Sequence, residues 1–311
     1  MSLPQLPAIP SPSRARRWRK RVAGGAAACV ALYSAVIVGA AYLSLHPPRT
    51  AVAATPTSLH LKFEEVRFPS ATDGLNLRGW YIPADGTPKG LILFCHGRQG
   101  NRAGVLTHAR YLHRAGFALF SFDFRACGDS DGDMSTIGWR EVGDAQGAVS
   151  YIASRVDTKN VPLGIFGASM GAAVAIQLAA KTPEIRCVVA DSPYATLDRA
   201  VDQRFRGLFP SGSSALSIPI QFAGEQMMGH SAITVSPLDA IPKIAPRPLF
   251  LIHGLADQLI RSEDSQMLFD AAKGPKQLWL VPGARHVGAY KVAKREYQQR
   301  VTRFFQSNLH Q

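Results

Sequence analysis

The chain has 311 residues, of which 46% are hydrophobic and 18% charged, enough apolar material for one large buried core and too much for a disordered chain. Its net charge of +13 would suit an anionic partner, but seven basic residues and no acid fall in residues 1–50 and the remaining charge is spread. There is no zinc-finger spacing, no aromatic RNA-binding signature, no Gly-rich phosphate loop and no His/Glu cluster at ligand spacing. Nucleic-acid binding, a metal centre and an organic cofactor are therefore not expected.

The basic stretch SRARRWRKR (13–21) runs into 24 uncharged residues, 22–45. As a helix that run spans roughly 36 Å, more than a hydrocarbon core of about 30 Å. It predicts a single transmembrane helix at 22–45 behind a basic tail at 1–21. Six basic residues precede the run and only Arg49 follows closely, so the tail is expected in the cytoplasm and everything after it outside. A cleaved signal peptide is the alternative, because VGA (38–40) and AVA (51–53) resemble small-residue cleavage sites. The Pro- and Ala-rich stretch 46–59 reads as an extended linker, with the folded domain beginning near His60.

From there LKFEEVRFP (61–69) and LNLRGWYIP (75–83) flank the turn SATDG and predict a β-hairpin. Short apolar strands then recur at 90–97, 117–125, 161–167, 185–192, 247–254 and 276–283. Helical periodicity fills the gaps at 101–115 and 139–155. This alternation predicts an α/β fold, a mostly parallel sheet flanked by helices. Residues 193–246 are too many for one crossover. Leu197, Val201, Phe205 and Leu208 share one helical face, and 214–230 adds a second apolar segment, so a small helical cap is expected there.

The sequence GASMG places Ser169 between Gly167 and Gly171, directly after one predicted strand and before an Ala-rich helix. A tight strand-to-helix turn with small residues on both sides exposes a serine at the C-terminal edge of a sheet. A hydroxyl near neutrality needs a base, and the base needs an orienting acid. His286, in PGARHVG after the last strand, is the expected base. Asp257, in HGLADQL after the strand before it, is the expected acid. Asp191 is a rival acid, and His96 and His253 are weaker base candidates, each locked into a His-Gly strand end. The oxyanion of an acyl-transfer intermediate would be held by the backbone N–H groups of Met170 and Arg98, with Gln99 the alternative to Arg98. The four cysteines show no paired spacing and read as buried thiols, although Cys95 and Cys127 would lie near one end of the sheet and a disulfide between them stays open.

Over residues 61–306 the chain resembles the α/β-hydrolase superfamily, in GASMG and also in LILFCHGRQGNRAG, FDFRACGDSDGDMSTIGWREVGDAQGAVSYI and PLDAIPKIAPRPLFLIHGLADQLI. These motifs look like those of the bacterial serine hydrolases of the dipeptidyl-aminopeptidase/acylaminoacyl-peptidase-like and BEM46-like groups. The resemblance implies a Ser169, Asp257, His286 triad with Arg98 and Met170 as oxyanion donors. It also implies a structural turn at Asp123, Arg125, Gly128 and Ser130. DQLIRSE (257–263) departs from the Val-Pro that relatives carry soon after the acid, which bears on the shape of that loop. No propeller repeat precedes the domain, so a prolyl-oligopeptidase-type peptidase is not expected. The apolar cap and the anchor favour an ester or lipid-like small molecule as substrate. A peptidase-like amide hydrolase and a non-catalytic binding protein are the alternatives.

Overall fold

The computed structural model describes residues 12–208 and 213–309. Helix α1 (Pro12–Leu45) leads into an eight-stranded sheet made of β1 (Glu64–Pro69), β2 (Asn76–Ile82), β3 (Leu91–Cys95), β4 (Ala118–Phe122), β5 (Leu163–Ala168), β6 (Ile185–Asp191), β7 (Leu249–Gly254) and β8 (Lys276–Val281). All eight strands coincide with predicted ones. The order across the sheet is β1-β2-β4-β3-β5-β6-β7-β8. The β1–β2 and β2–β4 pairings are antiparallel, and every pairing from β4 to β8 is parallel.

The helices are α2 (Leu106–Arg114), α3 (Glu141–Ser154), α4 (Met170–Ala179), α5 (Leu197–Leu208), α6 (Ser213–Met228), α7 (Pro237–Ala240), α8 (Ser262–Ala271), α9 (Ala289–Val292) and α10 (Lys294–Asn308). They cover both faces of the sheet, which is why the strands are apolar throughout rather than alternating. In β3 the side chains divide by parity: Leu91, Leu93 and Cys95 enter the core beneath α3 and α4, while Ile92 and Phe94 enter the core shared with α2 and α10. The same division holds in β7, with Leu249 and Leu251 on one face and Phe250 and Ile252 on the other.

β4 ends three residues before its predicted limit for a definable reason. Asp123, fully buried, turns its carboxylate away from the sheet to accept the backbone N–H groups of Arg102 (2.5 Å) and Asp129 (2.9 Å) and the Arg102 guanidinium. Its carbonyl accepts Ser130 Oγ–H at 2.7 Å, and Arg125 is clamped by Asp144 and Asp73. Gly128 (φ +47°) sits against the Asp123 carboxylate with no room for a Cβ. These four residues are the turn that the resemblance implied.

One sequence reading is amended and one open question is closed. The stretch 46–59 is laid against the domain instead of lying free of it. The Arg49 guanidinium donates to the carbonyls of Gly128 (3.0 Å), Ser130 (2.5 Å) and Gly132, and Asn101 Nδ2 donates to those of Thr50 (3.0 Å) and Ala51 (3.1 Å). Folded contacts therefore begin well before His60, and proline-rich composition did not report them. Cys95 and Cys127 are both buried free thiols, so the disulfide left open by the sequence is absent.

In the region 193–246, α5 and α6 lie over the C-terminal edge of the sheet. Leu197 is buried with Tyr194, Val235 and Ile260, and Val201 packs on the same cluster. Phe205 instead joins Leu216, Ile220, Ala223 and Met227 against Ile37 and Ala41 of α1. The Leu208 side chain, read from sequence as part of this face, lies outside the described residues, as do residues 1–11 of the basic tail.

Candidate active site

The sheet reverses its order of winding between β3 and β5. Neighbouring loops there run in opposite directions and leave a crevice at the strands' C-terminal ends. Ser169 follows β5 at this point with φ +54° and ψ −122°, a conformation rare for any residue with a Cβ. The flanking glycines make the turn possible. A Cβ on Gly167 would overlap the backbone of Gly171, and one on Gly171 would overlap the Cys95 and His96 carbonyls. Only bare backbone lets α4 begin this close to β3.

His286, in the loop after β8, places Nε2 2.7 Å from Ser169 Oγ. Its Nδ1 lies 2.6 Å from Oδ2 of Asp257, in the loop after β7. The three expected residues are thus joined in one hydrogen-bonded line, although 117 and 29 positions separate the partners of the two bonds. The Asp257 side chain has no exposed surface, while that of His286 is 20% exposed. Burial alone would raise the Asp257 pKa. Hydrogen bonds from His253 and His286, the charge of His286 and the Ile260 N–H outweigh it and hold the carboxyl well below the usual carboxylate range. An ionised acid of this kind fixes the imidazole as the Nδ1–H tautomer and leaves Nε2 free to take the serine proton.

The rival candidates are engaged elsewhere. Asp191 is buried with Oδ1 bonded to Ser192 Oγ (2.9 Å) and Oδ2 to the Tyr297 hydroxyl (2.7 Å), and burial pushes its pKa up. His96 Nδ1 meets the Gly97 carbonyl at 2.7 Å and its Nε2 accepts the Phe124 N–H, which uses both ring nitrogens. His253 is fully buried, with Nε2 3.0 Å from the Ile260 carbonyl and 3.2 Å from Asp257 Oδ2. Sequence reading took His253 as a structural hydrogen bonder but missed that the acid is one of its partners. The i,i+4 spacing of His253 and Asp257 around a strand end was the available signal.

Two backbone donors lie near Ser169 in the fold. Met170 N–H opens α4, where the helix field favours an anion, and the Arg98 N–H follows Gly97, whose Cα lies against Ser169. Among the described residues neither N–H has an acceptor. The Gln99 N–H, the alternative donor, is turned toward the Cys127 sulfur. Beside His286 lies a cavity of about 330 Å³, within the range of small-molecule sites. Leu197 and Val201 of α5 and Ile220 and Met228 of α6 line it, and so do Ala41, Ser44 and Leu45 of α1. The contribution of α1 had no signal in the sequence.

A doubly wound sheet with a strained serine after its fifth strand, a histidine after its eighth and helices inserted after its sixth defines an α/β hydrolase. The sequence profile of the serine aminopeptidase S33 family matches residues 86–218. The chain belongs to this α/β-hydrolase family together with the uncharacterized Escherichia coli K12 protein YfhR, to which it is 31% identical over 233 residues, 73% of this chain and 74% of that one. It is 29% identical to the uncharacterized Bacillus subtilis protein YqkD over 76% of this chain and 77% of the relative. Among solved structures, the Pyrococcus furiosus esterase Pf2001 superposes with a TM-score of 0.72 at 28% identity, covering 85% of this chain and 98% of the esterase.

Proposed function

We propose that the protein is a membrane-anchored serine hydrolase that cleaves carboxylic esters through an acyl-enzyme formed on Ser169. The observation that carries this reading is the position of His286, bonded to Ser169 Oγ at 2.7 Å on one side and to Asp257 at 2.6 Å on the other. Ser169 Oγ attacks the ester carbonyl as His286 takes its proton. The N–H groups of Met170 and Arg98 receive the oxyanion, and His286 returns the proton to the departing alcohol. Water, activated by the same imidazole, then frees the acid. The esterase Pf2001 supports ester over amide chemistry by its likeness to this chain.

Helix α1 supports the anchor. An 18-residue window within its stretch Arg14–Leu45 has a mean hydropathy of 2.0, with the basic residues before the apolar run. In this reading residues 1–21 are cytoplasmic, 22–45 span the membrane, and 60–311 form the exported hydrolase domain capped by about 193–246. No cofactor or metal enters the chemistry.

The description of the matching family favours a second reading, cleavage of an amide next to a free amino group. An aminopeptidase needs an acceptor for the substrate ammonium. The cavity carries the cations Arg98 and Arg204, and Oε1 of its one acid, Glu225, already accepts Gln221, Ser231 and the Ala232 N–H. The ester reading is therefore preferred.

The test uses the full chain in detergent beside Ser169→Ala. A fluorescent fluorophosphonate should label the wild type alone, and nitrophenyl acyl esters should be cleaved faster than aminoacyl naphthylamides. Faster amide cleavage would install the second reading. Absence of labelling would leave a binding protein on a hydrolase fold.

A further inference from the structure

The cavity beside His286 combines three features that no single role in ester cleavage requires. Its apolar wall is completed by the membrane helix itself, through Ala41 and Leu45. The helix α6 that packs on α1 turns Ile218 and Phe222 outward, 66% and 62% exposed and one helical turn apart. Two guanidiniums, Arg98 and Arg204, also line the cavity.

The first two features fix the depth of the cap. Ile37 and Ala41 of α1 are buried against Ile220 of α6, so α6 lies alongside the last turns of the apolar run, roughly the final 12 Å of the helix. Once α1 is in a bilayer, its outer end brings α6 to the lipid surface with Ile218 and Phe222 facing the acyl chains. Two such residues in water would be an unexplained apolar patch. An acyl chain can then pass from the lipid into the cavity without crossing water.

The third feature concerns the other end of the substrate. Arg98 donates one bond to the Ser44 carbonyl and keeps a buried Nε with no acceptor. Burial first, and then the facing Arg204, push its pKa down. Among the described residues neither guanidinium forms an ion pair, although other arginines of the chain do so readily. One half-buried cation, Arg98, and one exposed cation, Arg204, neither ion-paired and both lining an apolar cavity, match the charge of about −2 carried by a phosphate monoester.

We infer that the substrate is an acyl ester resident in the outer membrane surface whose alcohol part carries a phosphate group. Its acyl chain lies between the cap and the last turns of α1, and the phosphate is received by Arg98 and Arg204. This rests on the hydrolase reading above. The ester C–O bond breaks as the Ser169 Oγ–acyl bond forms, and the proton passes through His286 to the phosphorylated alcohol. Water then releases the fatty acid.

The experiment uses the full-length protein in vesicles of an ether-linked zwitterionic phospholipid, which offers no ester of its own. The vesicles are doped equally with 1-oleoylglycerol or 1-oleoylglycerol 3-phosphate, and oleate release is followed with fluorophosphonate labelling of the same samples. The phosphorylated ester should be favoured at least tenfold in kcat/KM, and Arg204→Gln should cut that ratio at least fivefold. A ratio between two substrates in one preparation is readable even from a partly damaged variant. Ser44→Phe, which pushes a ring into the cavity from α1, should shift the preferred acyl chain to a shorter length. A labelled enzyme with a ratio near one, a ratio unmoved by Arg204→Gln, or an unmoved chain-length profile in Ser44→Phe overturns the inference and leaves the hydrolase reading standing. An unlabelled enzyme overturns both.

Discussion

His253 Nε2 lies 3.2 Å from Oδ2 of Asp257, the same oxygen that accepts Nδ1 of His286 at 2.6 Å. Because Nε2 also meets the Ile260 carbonyl at 3.0 Å, both of its neighbours are acceptors and it must carry the proton. Nδ1 then accepts Ser265 Oγ–H at 2.6 Å. The acid that orients the proposed base is thus itself oriented by a buried imidazole and by the N–H groups of Leu259 and Ile260. Replacing His253 by Phe should lower kcat about tenfold with little change in KM, because Asp257 loses one of its fixed donors. It should also cost about 1–3 kcal/mol in urea unfolding for the acceptors left unpaired. A fall in stability with kcat untouched would make His253 structural only.

Asp257→Asn should leave the fold intact and reduce ester turnover about 10³- to 10⁴-fold, since an amide cannot hold the imidazole in the tautomer that accepts the serine proton. Matched circular dichroism spectra and steady-state kinetics of the two proteins check this. A loss below tenfold would mean that another acid serves His286.

His108 predicts an acid-labile fold. It is enclosed by Phe94, Phe166, Tyr290 and Tyr297, and burial lowers its pKa to about 3. Unfolded, it would take up a proton near the ordinary imidazole value of about 6.5. Between those values the unfolded chain binds more protons, so stability is full above about pH 6.5 and drains as pH falls toward 3. Buried His96 acts in the same direction. His108→Phe should flatten this slope in denaturant midpoints measured from pH 7 to pH 4. An unchanged slope would assign the acid lability to other groups.

Gly171→Ala should destabilise the domain by about 3 kcal/mol or more, because the added methyl overlaps the Cys95 and His96 carbonyls at the crossing of α4 and β3. Urea midpoints beside a surface Gly74→Ala control, where a Cβ meets nothing within 4 Å, separate this steric cost from that of a positive φ.

Arg49→Ala should free the stretch that joins the anchor to the domain. Limited proteinase K digestion should then cut near residues 46–59 faster than in the wild type, with the domain core equally resistant. The Arg49 contacts to Gly128, Ser130 and Gly132 are the ones lost. The buried thiols give an independent check on the fold. Burial pushes Cys187 up to about 12, and burial joined by Glu141 and Asp123 pushes Cys127 up to about 12. A Cys29→Ser protein should therefore resist maleimide until it is unfolded.

Much of this architecture is local and so was legible in the chain. Apolar runs of strand length alternating with helical periodicity locate eight strands, and Gly167, Ser169 and Gly171 encode their own turn because a few neighbouring dihedrals and clashes determine it. Asp257 and His286 could be singled out, and are joined to Ser169 by hydrogen bonds, because each follows a strand whose C-terminal end is where such sheets gather their sites. What the tertiary structure alone decided rests on contacts across long stretches of chain. Strand order puts β3 beside β5, and His253 shares the carboxylate of Asp257. Arg49 is tied to a turn some 80 residues away, and Ala41 and Leu45 become a wall of the cavity. Periodicity records which face of a helix is apolar. It does not record what that face will meet, and in α1 the same residues that suit a bilayer also suit the cap.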